Sequence, residues 1–235
     1  MRLLAFLQKL RAVAPAPRSF WRENGLSLVT AAIFAVLLFG QSWAGLFELN
    51  AQREQHGQPP VAYGAYLTNP HFFEATFENW ESEFLQMGFY VVLTVFLYQR
   101  GSAESKRLER EEDVDADPRS ERSSDSPWPV RRGGIALKFY EHSLSICFLG
   151  LFMFCFTLHA LSGWRLQNAE LLEHGRPVIS LGHYVTSARF WFESLQNWQS
   201  EFLAVGAIVV LSIYLRERGS PESKPVAAAH AETGG

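Results

Sequence analysis

The chain has 235 residues, of which 48% are hydrophobic, and its formal net charge at pH 7 is −3. The Lys and Arg residues are divided among several segments at the edges of the apolar runs, which argues against a nucleic-acid-binding protein. The two cysteines, Cys147 and Cys155, fall in one apolar run and would lie too far apart on a helix to bond to each other, so a disulfide framework is unsupported.

Residues 1–20 form an N-terminal extension, and residues 3–10 within it (LLAFLQKL) have an amphipathic pattern. Apolar segments with flanking cations lie on membrane surfaces, so this stretch would suit the inner leaflet. A poorly ordered extension is the other interpretation, and the sequence leaves both open.

Four apolar runs free of Asp, Glu, Lys and Arg follow in chain order. A transmembrane helix needs about 20 predominantly apolar residues, and the first and third runs meet that length. The second and fourth are shorter, but Trp80 or Trp198 precedes each as an interfacial anchor, and arginines follow. We therefore favour four membrane spans over two spans beside two buried helices of a soluble core. The predicted spans are roughly residues 26–45, 80–98, 144–163 and 198–215.

The chain contains a tandem duplication. Shifting the sequence by 118 positions aligns residues 23–106 with 141–224 without a gap, and 31 of these 84 positions are identical. Each copy carries two spans, so both copies enter the membrane in the same sense, as parallel repeats do. The predicted fold class is an all-α membrane protein with four transmembrane helices from two tandem parallel helical-hairpin repeats, packed as a four-helix bundle. The predicted segments after the extension are repeat 1 at 21–100, a linker at 101–137, repeat 2 at 138–218 and a tail at 219–235.

The first run also resembles a signal peptide, because a basic segment precedes it and Ser42, Trp43 and Ala44 resemble a cleavage site. The third run occupies the equivalent place in the repeat, where no signal peptide can act. We therefore expect the first run to be retained.

Lys and Arg are concentrated before the first span, in the linker and after the fourth span. The positive-inside rule then places both termini and the linker in the cytoplasm. The linker combines charges of both signs with Ser and Pro, which predicts disorder and favours a solvated tether over a regulatory segment. Trp128 would be an anchor at the inner interface, beside Arg131 and Arg132.

The stretch ENWESEFLQMG of repeat 1 returns in repeat 2 as QNWQSEFLAVG. Asn69 and Ser187 are the predicted N-caps of the helices that carry these stretches. In repeat 1 the first turns combine aromatic residues with Glu74, Glu78 and Glu81, which would form the water-facing side. The stretch is therefore the point at which an amphipathic helix enters the lipid.

One stripe of this helix is polar in both copies and is the candidate functional site predicted from sequence. Its residues are Asn79, Ser82 and Glu83 in repeat 1 and Asn197, Ser200 and Glu201 in repeat 2. In one interpretation the two carboxylates are hydrated at the outer edge of their spans. In the other they meet across a pseudo-twofold axis around one cavity, as in cation or proton pathways. We favour the first.

Two further polar residues lie inside the spans, and they occupy equivalent positions. Gln41 of the first span aligns with His159 of the third, and an interhelical hydrogen bond is the simplest role for each. His56 and His174 lack the close spacing of zinc ligands, so we expect loop turns there, no metal and no cofactor. Phosphate-loop, dinucleotide and nucleophile motifs do not occur in the sequence, and an enzyme is not expected.

Several longer motifs resemble one known family. RENGLSLV, EHGQPP, FENWESEFLQMG, RGSAESK and PWPVRRGG, with their echoes in repeat 2, closely resemble the bacterial membrane proteins of the domain of unknown function 6766 family. The resemblance covers nearly the whole chain from about Trp21. It implies a prokaryotic membrane location, and it brings no known activity, cofactor or catalytic residue.

Two functions fit this sequence. The favoured one is a non-enzymatic membrane scaffold or interaction protein, because the spans are largely apolar. The alternative is a small channel or transporter that uses a polar site at the repeat interface. The expected partners are the lipid bilayer and either a second copy of this chain or another membrane protein, with no nucleic acid. The expected location is the bacterial inner membrane.

Overall fold

The structure is a computed structural model that describes residues 20–107 and 112–234, and every regular element in these two ranges is helical. The predicted extension lies outside the described residues except for Phe20. Four long helices are present: α1 (Phe20–Gln55), α3 (Pro70–Phe96), α6 (Ser143–Glu173) and α8 (Ala188–Tyr214). The short helices are α2 (Tyr63–Tyr66), α4 (Trp128–Arg132), α5 (Gly134–Glu141) and α7 (Leu181–Val185), with a 3₁₀ turn at Asp113–Asp115. The all-α prediction is confirmed for the described residues.

The described residues divide into two compact units, the first ending at residue 67 and the second beginning at residue 68. In the first unit the loop after α1 folds back onto the end of that helix. The Asn50 side chain donates to the Val61 carbonyl at 3.0 Å and accepts from the Val61 N–H at 2.7 Å. The Ser42 and Tyr63 hydroxyls lie 2.8 Å apart, and the Tyr66 hydroxyl lies against Gly45. These contacts fix the α1–α2 corner.

In the second unit the corner between α6 and α7 has the same hydrogen bonds. Asn168 donates to the Ile179 carbonyl at 3.1 Å and accepts from the Ile179 N–H at 2.9 Å. The Tyr184 hydroxyl lies against Gly163, as that of Tyr66 does against Gly45. The sequence duplication is thus matched by the same local structure in each unit.

Helices α3, α6 and α8 form the body of the second unit. Gly88 lets α3 approach α6 closely, since a Cβ atom there would lie 3.1 Å from Leu149 Cδ2. The predicted N-caps are confirmed, because Asn69 Oδ1 accepts from the His71 N–H and Ser187 Oγ accepts from the Phe190 N–H. These caps satisfy backbone donors that a helix start otherwise leaves unpaired.

Two of the described helices are long and apolar enough to cross a membrane, namely Glu23–Gln55 and Ser143–Glu173. Many apolar side chains of α1 are exposed, including Leu26 at 81% and Val36 at 69%. An apolar helix exposed in this way suits a lipid environment. The membrane character predicted from sequence is supported to this extent.

The linker, whose composition predicts disorder, contains hydrogen-bonded turns and short helices in residues 101–107 and 112–137. Ser102 is fully buried and Ser105 nearly so, and short hydroxyl side chains bond the backbone of this turn. Residues 112–115 form a capping box around the 3₁₀ turn. Trp128 is 56% exposed, and the Arg132 guanidinium lies 5.1 Å from its ring centroid. The described part of the linker thus contains local polar contacts, and its disorder stays a prediction from composition.

Candidate functional site

The centre of the second unit contains a histidine bound to a glutamate. The close packing of α3 on α6 brings His159 Nδ1 to 3.1 Å from Glu81 Oε2. Both side chains are fully buried, at 0% exposure. An isolated ionised group at such a place would be costly, and the pairing offsets that cost.

Helix α8 brings a second carboxylate to the other ring nitrogen. Glu193 Oε2 lies 3.8 Å from His159 Nε2. Trp198 also belongs to α8, and its Nε1–H donates to Glu81 Oε1 at 3.3 Å. The imidazole is therefore held between carboxylates from two helices, and a protonated ring would present an N–H to each of them.

The Glu193 carboxylate is also hydrogen-bonded to a series of polar side chains that reaches the surface. Arg189 Nε donates to Glu193 Oε1 at 2.9 Å, and Arg189 NH1 donates to Glu170 Oε2 at 2.7 Å. The Tyr184 hydroxyl donates to Glu193 Oε2 at 3.2 Å. Burial opposes ionisation of Glu193, but the nearby His159 ring and the hydrogen bond from Arg189 lower its pKa below the ordinary value.

Two more glutamates of α3 complete the site. Glu78 Oε1 accepts from Asn197 Nδ2 at 2.6 Å, and burial raises the pKa of Glu78. Glu74 Oε1 is buried and has no hydrogen-bond partner among the described residues. Burial, reinforced by the Glu193 carboxylate, raises the pKa of Glu74 from 4.5 to about 7. We call Glu74, Glu78, Glu81, His159 and Glu193 together the His159 cluster.

Aromatic rings shield this cluster from water. The Phe190 ring centroid lies 5.0 Å from that of His159, and Phe156 and Tyr184 pack on Phe190 at 5.3 and 5.4 Å. Phe190 and Tyr184 are fully buried. Electrostatic interactions are stronger in such a medium than in water, so the charge state of each member depends strongly on its neighbours.

The raised pKa of Glu74 predicts a pH dependence of stability. Between pH 4.5 and about 7 the unfolded chain loses this proton while the folded chain keeps it, so the free energy of unfolding should fall as pH rises through that window. Glu74→Gln removes the titration and should flatten the fall. Thermal unfolding in detergent at pH 4.5, 6 and 8 measures it, with the exposed Glu83→Gln as control. An unchanged slope in Glu74→Gln would contradict the assignment.

The structure separates the residues of the site predicted from sequence. Asn197 and Trp198 contact the His159 cluster, because Asn197 donates to Glu78 and Trp198 donates to Glu81. Ser82 is buried but donates to the carbonyl of Asn79 in its own helix. The remaining members are on the surface or half-buried: Asn79, Glu83 and Ser200 are exposed and Glu201 is half-buried.

Glu83 and Glu201 are close enough to repel each other, yet neither belongs to the cluster. Of the other residues predicted from sequence, Trp80 is half-buried and Gln41 is exposed within the first unit. The expected interhelical hydrogen bond of His159 is present, to Glu81 of α3. The expectation that Glu74, Glu78 and Glu81 face water is wrong, because this side of α3 packs against α6 and α8.

The residues of the cluster stand out in the sequence because they differ between the two repeats. Each of its five members aligns with an uncharged residue of the other repeat. The aligned pairs are Glu74 with Phe192, Glu78 with Gln196, Glu81 with Gln199, His159 with Gln41 and Glu193 with Ala75. The charged site is therefore built from the positions at which the two repeats differ.

Within residues 20–107 and 112–234, no group of three or more His, Cys, Asp and Glu side chains is arranged to hold a metal ion. The chemistry that the cluster can perform is the uptake, sharing and release of protons. His159 and the surrounding carboxylates supply donors and acceptors for it.

A comparison with known families gives one match. The model of a domain of unknown function, DUF6766, matches residues 17–235. No curated protein and no solved structure matches the chain. Because the family model covers nearly the whole chain, the protein belongs to the DUF6766 family.

Proposed function

We propose that the protein spans the bacterial inner membrane four times, as two parallel hairpin repeats with both termini in the cytoplasm. The two apolar helices Glu23–Gln55 and Ser143–Glu173 support the membrane location. The α3 and α8 spans would begin near Trp80 and Trp198, after acidic or amphipathic first turns. The concentration of Lys and Arg before, between and after the repeats supports the orientation.

We propose further that the protein is a small channel or transporter whose His159 cluster binds and releases protons, without enzymatic chemistry. The observation that carries this function is the fully buried His159 between Glu81 and Glu193. Ionisable groups inside membrane proteins are rare and mark proton or ion pathways. The aligned positions of the other repeat carry Gln, Phe or Ala, so these charges are particular to the cluster.

A second polar region lies toward the other end of α3. A pocket of about 910 Å³ is lined by Tyr90 and Thr94 of α3 together with Glu104 and Lys106 of the linker. Tyr90 is nine positions beyond Glu81, which corresponds to about 13 Å along a helix. Between these two residues, apolar side chains of α3 pack against α6, with the Phe84 ring centroid 6.4 Å from that of Phe148. Such a barrier between two polar regions is what an alternating pathway requires.

The test is proton flux into vesicles reconstituted with the purified full chain, driven by a potassium gradient and reported by an internal pH dye. The variant His159→Gln/Glu81→Gln/Glu193→Ala copies the residues of the other repeat and should lower the flux at least tenfold. Glu83→Gln, which changes the site predicted from sequence, should leave it unchanged. Flux no higher than in protein-free vesicles, or equal flux in the triple variant, would reject a proton pathway through the cluster.

One observation favours a second function. The apolar side chains of α1 are exposed over most of its length, and Phe39 and Phe47 are 61% and 60% exposed. In a bilayer this surface would meet lipid, a second copy of the chain or another membrane protein. A membrane scaffold or interaction protein would use such a surface, and a protein without proton flux would fit this function.

A further inference from the structure

The same eight-residue turn follows α3 and α8. Turn A comprises residues 99–106 and turn B residues 217–224, with sequences QRGSAESK and ERGSPESK. In turn A the Ser105 hydroxyl accepts from the Gln99 N–H, and in turn B Ser223 accepts from the Glu217 N–H, both at 2.9 Å. The two turns therefore have the same internal hydrogen bonds.

The C-terminal segment, residues 225–234, lies on turn A. The Gly101 N–H donates to Thr233 Oγ1, and the Gly234 N–H donates to the Ser102 carbonyl, each at 2.9 Å. Arg107 Nε donates to the Thr233 carbonyl, also at 2.9 Å. Three hydrogen bonds thus connect this segment to the residues that follow α3.

Lys224 of turn B holds the same segment from the other side. Its side chain is 1% exposed, and Nζ donates to the carbonyls of Ala229, His230 and Glu232 at 3.3, 3.1 and 2.8 Å. Charge-assisted hydrogen bonds are stronger than neutral ones, and a buried ammonium needs such partners. The segment is therefore fixed to both turns.

The last turn of α8 contacts turn A directly. Ser212 Oγ lies 2.9 Å from Ser102 Oγ and accepts from the Ala103 N–H at 3.2 Å. Ser102 is fully buried beneath this contact. The C-terminal segment covers the place where the ends of α3 and α8 meet.

We propose that residues 225–234 are a strap that holds the C-terminal ends of α3 and α8 together, and that its release lets these ends separate. The strap also borders the pocket at the end of α3, because Gly234 lines it together with Arg107, which donates to Thr233 of the strap. Release would therefore open that pocket. This inference is independent of proton binding at the His159 cluster, since it uses none of its residues.

The two turns supply a matched pair of variants. Gly101 has φ +86°, and a Cβ atom there would lie 2.5 Å from the His230 carbonyl oxygen and 3.1 Å from Ile213 Cγ2. Gly219 has nearly the same conformation, φ +89°, but no atom lies within 4 Å of the added Cβ. Alanine strains the backbone equally at both positions, and only Gly101→Ala pushes against the strap.

Hydrogen exchange followed by mass spectrometry on the full chain in lipid nanodiscs tests the proposal. Peptides covering residues 226–234 should exchange at least tenfold faster in Gly101→Ala than in Gly219→Ala. The last turns of α3 and α8, residues 93–96 and 211–214, should lose protection in the same variant. Lys224→Met removes the ammonium without backbone strain and should give the same result, so the test stands if Gly101→Ala does not fold.

Two results would overturn the strap. Equal exchange of residues 226–234 in both glycine variants and in Lys224→Met would show that the segment is not held by these contacts. If the segment exchanges fast in Gly101→Ala and Lys224→Met while both helix ends keep their protection, the contacts fix the segment in place. The segment would then not hold the two helix ends together.

Discussion

Glu81→Ala should lower the free energy of unfolding by about 3 to 5 kcal/mol, because it removes one partner of a fully buried pair. His159 would keep only the more distant Glu193 carboxylate, and Trp198 Nε1 would lose its acceptor. Chemical or thermal unfolding in detergent micelles measures the loss. Glu83→Ala is the control, since it removes a carboxylate two positions away on the exposed side and should change stability by about 0.5 kcal/mol or less.

A double variant distinguishes the stability effect of breaking the His159–Glu81 pair from the effect of changing a single side chain. Glu81→Gln leaves His159 beside an amide, whereas His159→Gln/Glu81→Gln reproduces the pair of residues at the aligned positions Gln41 and Gln199. The double variant should be more stable than Glu81→Gln alone, with a coupling of roughly 1 kcal/mol or more. Additive effects of the two substitutions would show that the pair is not coupled.

Gly163→Ala should destabilise the fold by about 1 to 3 kcal/mol, because the added Cβ would overlap the Tyr184 hydroxyl. Glu74 Oε1 lies 3.1 Å from the same Cβ position, so the tyrosine cannot move aside freely. Gly150→Ala on the same helix is the matched control. No atom lies within 4 Å of its Cβ, so it should stabilise the helix by about 0.5 to 1 kcal/mol.

Thermal unfolding of the two variants in the same detergent decides this prediction. If Gly163→Ala is as stable as Gly150→Ala, the close contact at the α6–α7 corner does not constrain the fold. The aligned pair Gly45 and Tyr66 has the same contact in the first unit, so Gly45→Ala provides an independent repetition.

The helical elements were predictable because their determinants are local. Asn69 and Ser187 cap α3 and α8 as predicted, since capping needs only a side chain and the next turn of backbone. Helical periodicity also separates Glu81 from Glu83 on the wheel of α3. It does not say which stripe faces the neighbouring helices, and that depends on the approach of α6 through Gly88.

The His159 cluster was missed for a related reason. The positions that are identical in the two repeats hold local structure, such as Asn50 and Asn168 at the two corners. The charged cluster draws on α3, α6 and α8, and its members are far apart in sequence. Pairing between such positions is a long-range property, although the difference in charge between the repeats was visible in the sequence.

The position of the strap has a consequence for biosynthesis. Residues 225–234 follow the eight helices of the described residues, so they leave the ribosome after α3 and α8 have been made. Until then the Gly101 N–H and the Ser102 carbonyl lack their partners Thr233 and Gly234. A chain terminated early, after α8, would insert its helices, but its turn A would lack the hydrogen bonds to the strap. The strap can therefore close only after α8, the last of the described helices, has been synthesised.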